Sequence, residues 1–138
     1  MKQKTVVFDL GGVVFHWQPT ELLRQVLPGR ARDEAEAAHW VREIFQTFDP
    51  GGDWAQFDLG TVEPDVLASR IARRTGLAVD EVMAVIDGLA PHMRVKADTV
   101  ALIGDLQVAC HRLVYLSNMP HGLSPVSYTH LRAHETSL

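Results

Sequence analysis

Asp9 stands at the end of the apolar run Thr5-Val6-Val7-Phe8 and is followed, after Leu10, by the pair Gly11-Gly12. Open α/β sheets hold their ligands just outside the carboxyl ends of strands, which is where a carboxylate in this position would sit. Two glycines next to it let backbone N–H groups come close to an anion. Asp9 is thus a candidate nucleophile, or a ligand for a hard cation such as Mg²⁺, which takes carboxylate, carbonyl and phosphate oxygens together. The same residues also suit a tight turn or a helix cap, and this feature alone does not separate the two readings. A second apolar run, Leu113-Val114-Tyr115-Leu116, leads into Ser117-Asn118. Their hydroxyl and amide can hold a phosphoryl oxygen, or simply cap a turn. Two polar strand ends belonging to one sheet can converge on one ligand.

The elements that must position these residues are legible as periodicities. Thr5 to Phe8 reads as a buried, parallel strand running into a turn, with Val13-Val14-Phe15 beyond it. Pro19-Thr20 opens a helix carrying Leu22, Leu23, Val26 and Leu27, and Pro28-Gly29 ends it. From Ala31 to about Phe48 the apolar residues Ala38, Val41, Ile44, Phe45 and Phe48 suit an amphipathic helix, broken at Asp49-Pro50-Gly51-Gly52. A third helix starts at Glu63-Pro64-Asp65 and stops at Thr75-Gly76, with proline in its first turn and glycine past its end. A fourth runs from Asp80-Glu81 and ends before Pro91, and a fifth spans Ala97 to Val108. His111-Arg112 then leads into the second strand. Two strands flanking so many helices imply an α/β domain with a helical block inserted between its first and second strands.

Composition bounds the function. With 46% hydrophobic and 22% charged residues in 138, the chain can form one sizeable core, so disorder is not expected. The net charge of -4 is mild and no Lys/Arg run could track a phosphate backbone, which argues against nucleic acid as a partner. No apolar stretch approaches the roughly 20 residues of a membrane span, so a cytosolic protein is the expectation. The single cysteine, Cys110, excludes an internal disulfide and reads as a small residue on a buried helix. Trp17, Trp40, Trp54, Phe45, Phe48 and Phe57 are read as core. His16 is read as a solvated loop residue, and Asp53 and Asp58 as surface.

Taken together, Val6-Val7-Phe8-Asp9-Leu10-Gly11-Gly12-Val13-Val14 resembles the first motif of the haloacid dehalogenase-like (HAD) hydrolases, and Leu113-Val114-Tyr115-Leu116-Ser117-Asn118 resembles the second. The intervening helices resemble that family's helical cap, in which Phe57-Asp58-Leu59-Gly60-Thr61 looks like a common turn. The resemblance implies an incomplete Rossmann-like parallel sheet with an inserted cap. The core domain would be 1–16 with 95–124, the cap 17–94, and 125–138 a separate tail. It implies that Asp9 attacks phosphorus to give an aspartyl-phosphate that water hydrolyses. Mg²⁺ would be held by Asp9 and the Gly11 carbonyl, the Gly12 amide would face the phosphate, and Ser117 with Asn118 would bind the phosphoryl group. The substrate would be a small phosphate monoester.

Two departures from the family pattern matter. Gly11 stands where many HAD phosphatases carry a second Asp that protonates the leaving group. Losing a positioned acid costs about 10² to 10⁴ in rate and would favour substrates with better leaving groups, such as sugar 1-phosphates. After Lys96 there is no lysine, and after Asp105 the only acidic residue is Glu135, so the lysine of the third motif and the acids of the fourth are missing. The chain is therefore expected to be an N-terminal, inactive portion of a hydrolase. A 2-haloacid dehalogenase, which needs neither metal nor leaving-group acid, is the alternative enzyme. A non-catalytic truncated product is the alternative outside enzymology. Val126 to Thr136 resembles, residue for residue, one reading frame of a transposon-based sequencing adapter. The tail is accordingly set aside, and His130 and His134 with it as metal ligands.

Overall fold

The computed structural model describes residues 2–116. The β-branched run forms strand β1 (Thr5–Phe8), which pairs in parallel with β2 (Arg112–Tyr115), from Thr5 opposite Arg112 to Phe8 opposite Tyr115. Between them lie α1 (Pro19–Val26), α2 (Glu34–Phe45), α3 (Asp53–Asp58), α4 (Pro64–Thr75), α5 (Val79–His92) and α6 (Ala97–Val108). The fold is α/β, with a small parallel sheet and a helical block inserted between its two strands. No helix among the described residues is long and apolar enough to cross a membrane.

Local signals account for most boundaries. Pro19 and Pro64 sit in the first turns of α1 and α4, where a missing N–H costs nothing. Asp33 caps α2 by accepting the Glu36 N–H at 2.8 Å. Gly76 closes α4 at φ 79°, a conformation a side chain would resist. The Glu81 carboxylate accepts the Ala78 N–H at the start of α5 and also binds Arg30.

Hydrophobic packing divides in two. One cluster, from Leu22 to Leu89, is built around Leu23, Ile44, Phe45, Leu67, Ile71, Val82 and Val85, with Trp17 and Trp40 packed against it. The other joins Phe8, Leu10, Val14, Phe15 and Ile103, with Val6, Leu106, Leu113 and Tyr115 against it. Two chain segments connect them and pair antiparallel. Phe15 bridges to Val95, the His16 N–H donates to the Arg94 carbonyl at 2.6 Å, and the Lys96 N–H donates to the Val14 carbonyl at 2.8 Å.

The structure corrects several expectations. β1 is not buried on both faces: Val6 and Phe8 turn into the smaller cluster beside α6, whereas Val7 on the opposite face is 58% exposed because no described element covers it. α2 begins at Glu34, later than expected, and Phe48 is 47% exposed. Residues 46–48 wind left-handed, with φ of 52°, 55° and 55°, which turns Phe48 off the helix stripe. α3 follows a Pro-Gly-Gly break and was not anticipated. α5 runs through Pro91 instead of stopping before it. The proline lies in the last turn, where it removes a single helical bond, and the Met93 N–H still donates to the Leu89 carbonyl. Cys110 is exposed and past the end of α6, at φ 58°.

Candidate active site

β1 delivers Asp9 to the carboxyl edge of the sheet, where it is exposed. Its Oδ1 accepts the N–H of Leu10 at 2.8 Å, and it makes no ion pair with a described residue. The chain then folds into a tight loop around the Leu10 carbonyl, which accepts the N–H groups of Val13, Val14 and Phe15 at 3.3, 3.0 and 2.9 Å. Gly12 closes the loop at φ 76°, donating to the Phe15 carbonyl at 2.8 Å. A side chain would be strained in that backbone conformation, which gives the second glycine its physical reason. A Cβ at Gly11 or Gly12 would meet nothing within 4 Å, so the space above the loop is open to a ligand.

The loop is pinned from the far end of the helical block. Lys96 Nζ donates to the Gly12 carbonyl at 3.3 Å, and Thr99 Oγ1 donates to the Val13 carbonyl at 2.6 Å. Both residues escaped the sequence reading. No periodicity or motif connects them with Gly12 or Val13 more than eighty residues earlier, and only the return of the chain into α6 brings them there.

Asp9, Gly11 and Gly12 therefore share one loop. Ser117 and Asn118 lie outside the described residues, as do His130, His134 and the whole 125–138 tail. β2 itself ends on the same edge of the sheet as β1: the two run parallel, and the Leu116 N–H donates to the Phe8 carbonyl at 2.9 Å. For a divalent cation the loop offers hard oxygens. These are the exposed Asp9 carboxylate and the Gly11 carbonyl, which accepts no hydrogen bond from the described residues. That chemistry fits Mg²⁺, although these two oxygens leave most of an octahedral shell to water or other ligands.

Other side chains depart from their expected roles. His16 is half-buried and its Nε2 donates to Glu21 at 2.9 Å, which holds the Glu21 carboxyl below its usual range. His92 is 5% exposed, its Nε2 accepts the Gln18 N–H at 3.0 Å, and burial lowers its pKa, with the neighbouring His16 adding to the effect. Asp53, expected at the surface, is half-buried between Arg74 at 3.5 Å and Arg70 at 3.8 Å. Asp58 is also half-buried, and its burial pushes its pKa up to about 6, with Trp54 acting the other way. Trp54, Phe45 and Phe57 are core, as expected.

No family model and no curated protein matches the sequence. Among solved structures, the chain is similar to a HAD family enzyme from Bacteroides thetaiotaomicron, crystallised in complex with magnesium and inorganic phosphate. The TM-score is 0.59, with 16% sequence identity. The match covers 90% of this chain and 57% of that one, so this chain spans somewhat over half of the neighbour's length. At this identity the likeness is one of fold.

Proposed function

We propose that this chain is the nucleophile-bearing segment of a HAD-type hydrolase, with the chemistry of an Mg²⁺-dependent phosphatase acting on a small phosphate monoester. The observation that carries the reading is the exposed Asp9 carboxylate at the mouth of a parallel strand pair, above an open glycine loop. The similarity in fold to a HAD enzyme that binds magnesium and phosphate supports it. An Asp9 oxygen attacks phosphorus, the bond to the ester oxygen breaks, and the alcohol leaves with a proton from solvent. Water then cleaves the aspartyl-phosphate to inorganic phosphate and restores Asp9. Ser117 and Asn118, which follow β2 in the sequence, would bind the phosphoryl oxygens, and the Gly12 N–H, which donates to the Phe15 carbonyl at 2.8 Å, would have to leave that bond to join them. Mg²⁺, held by Asp9 and the Gly11 carbonyl, would offset the phosphoryl charge. In this reading the smaller cluster belongs to the catalytic core and the Leu22–Leu89 block is the cap.

Because the remaining acids and lysine of such a site are missing here, the 138-residue chain should release no measurable phosphate. A longer protein carrying this segment should hydrolyse phosphate monoesters with Mg²⁺, faster for sugar 1-phosphates than for alkyl phosphates, and Asp9→Asn should abolish release. Phosphate release from both proteins is the measurement. A longer protein whose Asp9→Asn variant keeps its rate would overturn the assignment.

A further inference from the structure

We propose that His16, Glu21 and His92 form a binding site for one divalent cation of the zinc class, at the junction between the helical block and the sheet. The proposal does not depend on the function proposed above, although His16 directly follows Phe15 of the Asp9 loop. One ligand atom from each residue lies within 4.8 Å of the other two. The three come from different places in the chain. His16 lies in the segment that enters the block, Glu21 in the first turn of α1, and His92 at the last residue of α5, beside the segment that leaves it.

The donor set selects the metal. Two imidazoles and one carboxylate form the ligand set of open zinc sites, with a fourth position left to water. Mg²⁺ prefers an all-oxygen shell and would not compete. His16 and Glu21 retain 27% and 37% side-chain exposure, which leaves an entry path and room to move, whereas His92 is fixed by burial. Burial also favours neutral His92, the form that ligates.

The present hydrogen bonds set the cost of occupancy. His16 Nε2 and the Glu21 carboxylate are already 2.9 Å apart, and the ion would replace the proton between them. With all three atoms within 4.8 Å, the widest pair must close by at most roughly 1.5 Å to meet Zn–N and Zn–O bonds of about 2.0 to 2.1 Å. The Gln18 N–H must give up His92 Nε2, since metal at either ring nitrogen disturbs that bond. That N–H, in a part-buried bond, must then find a water partner, which sets part of the cost. Among the described residues, Arg94 acts against a cation here, and it is itself exposed.

Zn²⁺ titrated into the 138-residue protein by calorimetry, with millimolar Mg²⁺ present, tests this. One ion per chain is expected, with a rise in melting temperature. Affinity should fall about tenfold or more in His16→Gln, His92→Gln and Glu21→Gln, since even outer-shell losses cost 10- to 100-fold. Circular dichroism identifies any variant that fails to fold, and Glu21→Gln, at the surface, serves if His92→Gln does. A His130→Gln/His134→Gln variant should bind as the parent does. Absence of binding, binding unchanged by both His16→Gln and Glu21→Gln, or binding lost only with His130 and His134 would overturn the proposal.

Discussion

Asp58 shows how a single side chain can carry a measurable signature. Burial raises its pKa from 3.8 to about 6, so between these values the folded chain holds a proton that the unfolded chain has released. The contribution to stability therefore falls as pH rises through this window, and the penalty is complete above about 6. At 1.36 kcal/mol per unit the cost is at most about 3 kcal/mol, and less for a group that is not fully buried. Asp58→Asn should stabilise the protein by roughly 1 to 2 kcal/mol at pH 7.5 and by almost nothing at pH 4. Urea midpoints of the two proteins at both pH values provide the check, and an equal difference at both would contradict it. In the sequence, Asp58 had only the look of a solvated loop residue. Its burial follows from α3 and Trp54, and neither the helix nor that packing has a periodic signature six residues long.

At the scale of elements, legibility followed sequence distance. β1, α4 and α6 were readable because Thr5 to Phe8, Pro64 with Gly76, and Ala97 to Val108 carry their signals within a few residues. The position of Asp9 at the end of β1 was readable for the same reason, since strand, carboxylate and glycine pair are contiguous. Pro91 misled because proline usually interrupts a helix, yet buried His92 and the Met93-to-Leu89 bond hold the final turn of α5 in place. The bonds from Lys96 to Gly12 and from Gln18 to His92 join residues 84 and 74 positions apart and had no local trace. Gly88 is another such case. Inside α5 it reads as a mere weakness, but a Cβ there would stand 2.9 Å from Val26 Cγ1 and 3.1 Å from Leu22 Cδ1. It therefore sets how closely α1 and α5 approach. Gly88→Ala gains about 1 kcal/mol of helix propensity but overpacks at a cost of about 1 to 3 kcal/mol. Net destabilisation of about 1 kcal/mol is expected in chemical denaturation, reversed in part by adding Val26→Ala. Should Gly88→Ala alone stabilise the protein, the close approach of α1 and α5 would not be limiting.

Residues 2–116 pack as two unequal clusters on one chain. Among the described residues, nineteen are buried in the cluster of the helical block and five in the cluster beside the sheet. A fully buried aliphatic or aromatic side chain contributes about 1.5 to 3 kcal/mol, whereas ordering each residue costs about 1 to 2 kcal/mol of backbone entropy. The smaller unit must order two strands, a loop and α6 with few buried groups, and Val7, Val108 and Leu116 are 58%, 86% and 72% exposed. A two-stranded sheet alone is marginal in water. The paired segments 14–16 and 94–96 and the His92 contacts tie it to the larger unit. The two units should therefore open at different free energies. In native-state hydrogen exchange, amides of α4 and α5 should exchange last, and those of β1, β2 and the Leu10–Phe15 loop should exchange well before them. Thr99→Val, which removes the bond to the Val13 carbonyl, should speed exchange in the loop and sheet while leaving α4 unchanged. Uniform protection across both units, or equal acceleration in α4, would show that the molecule opens as one cooperative body.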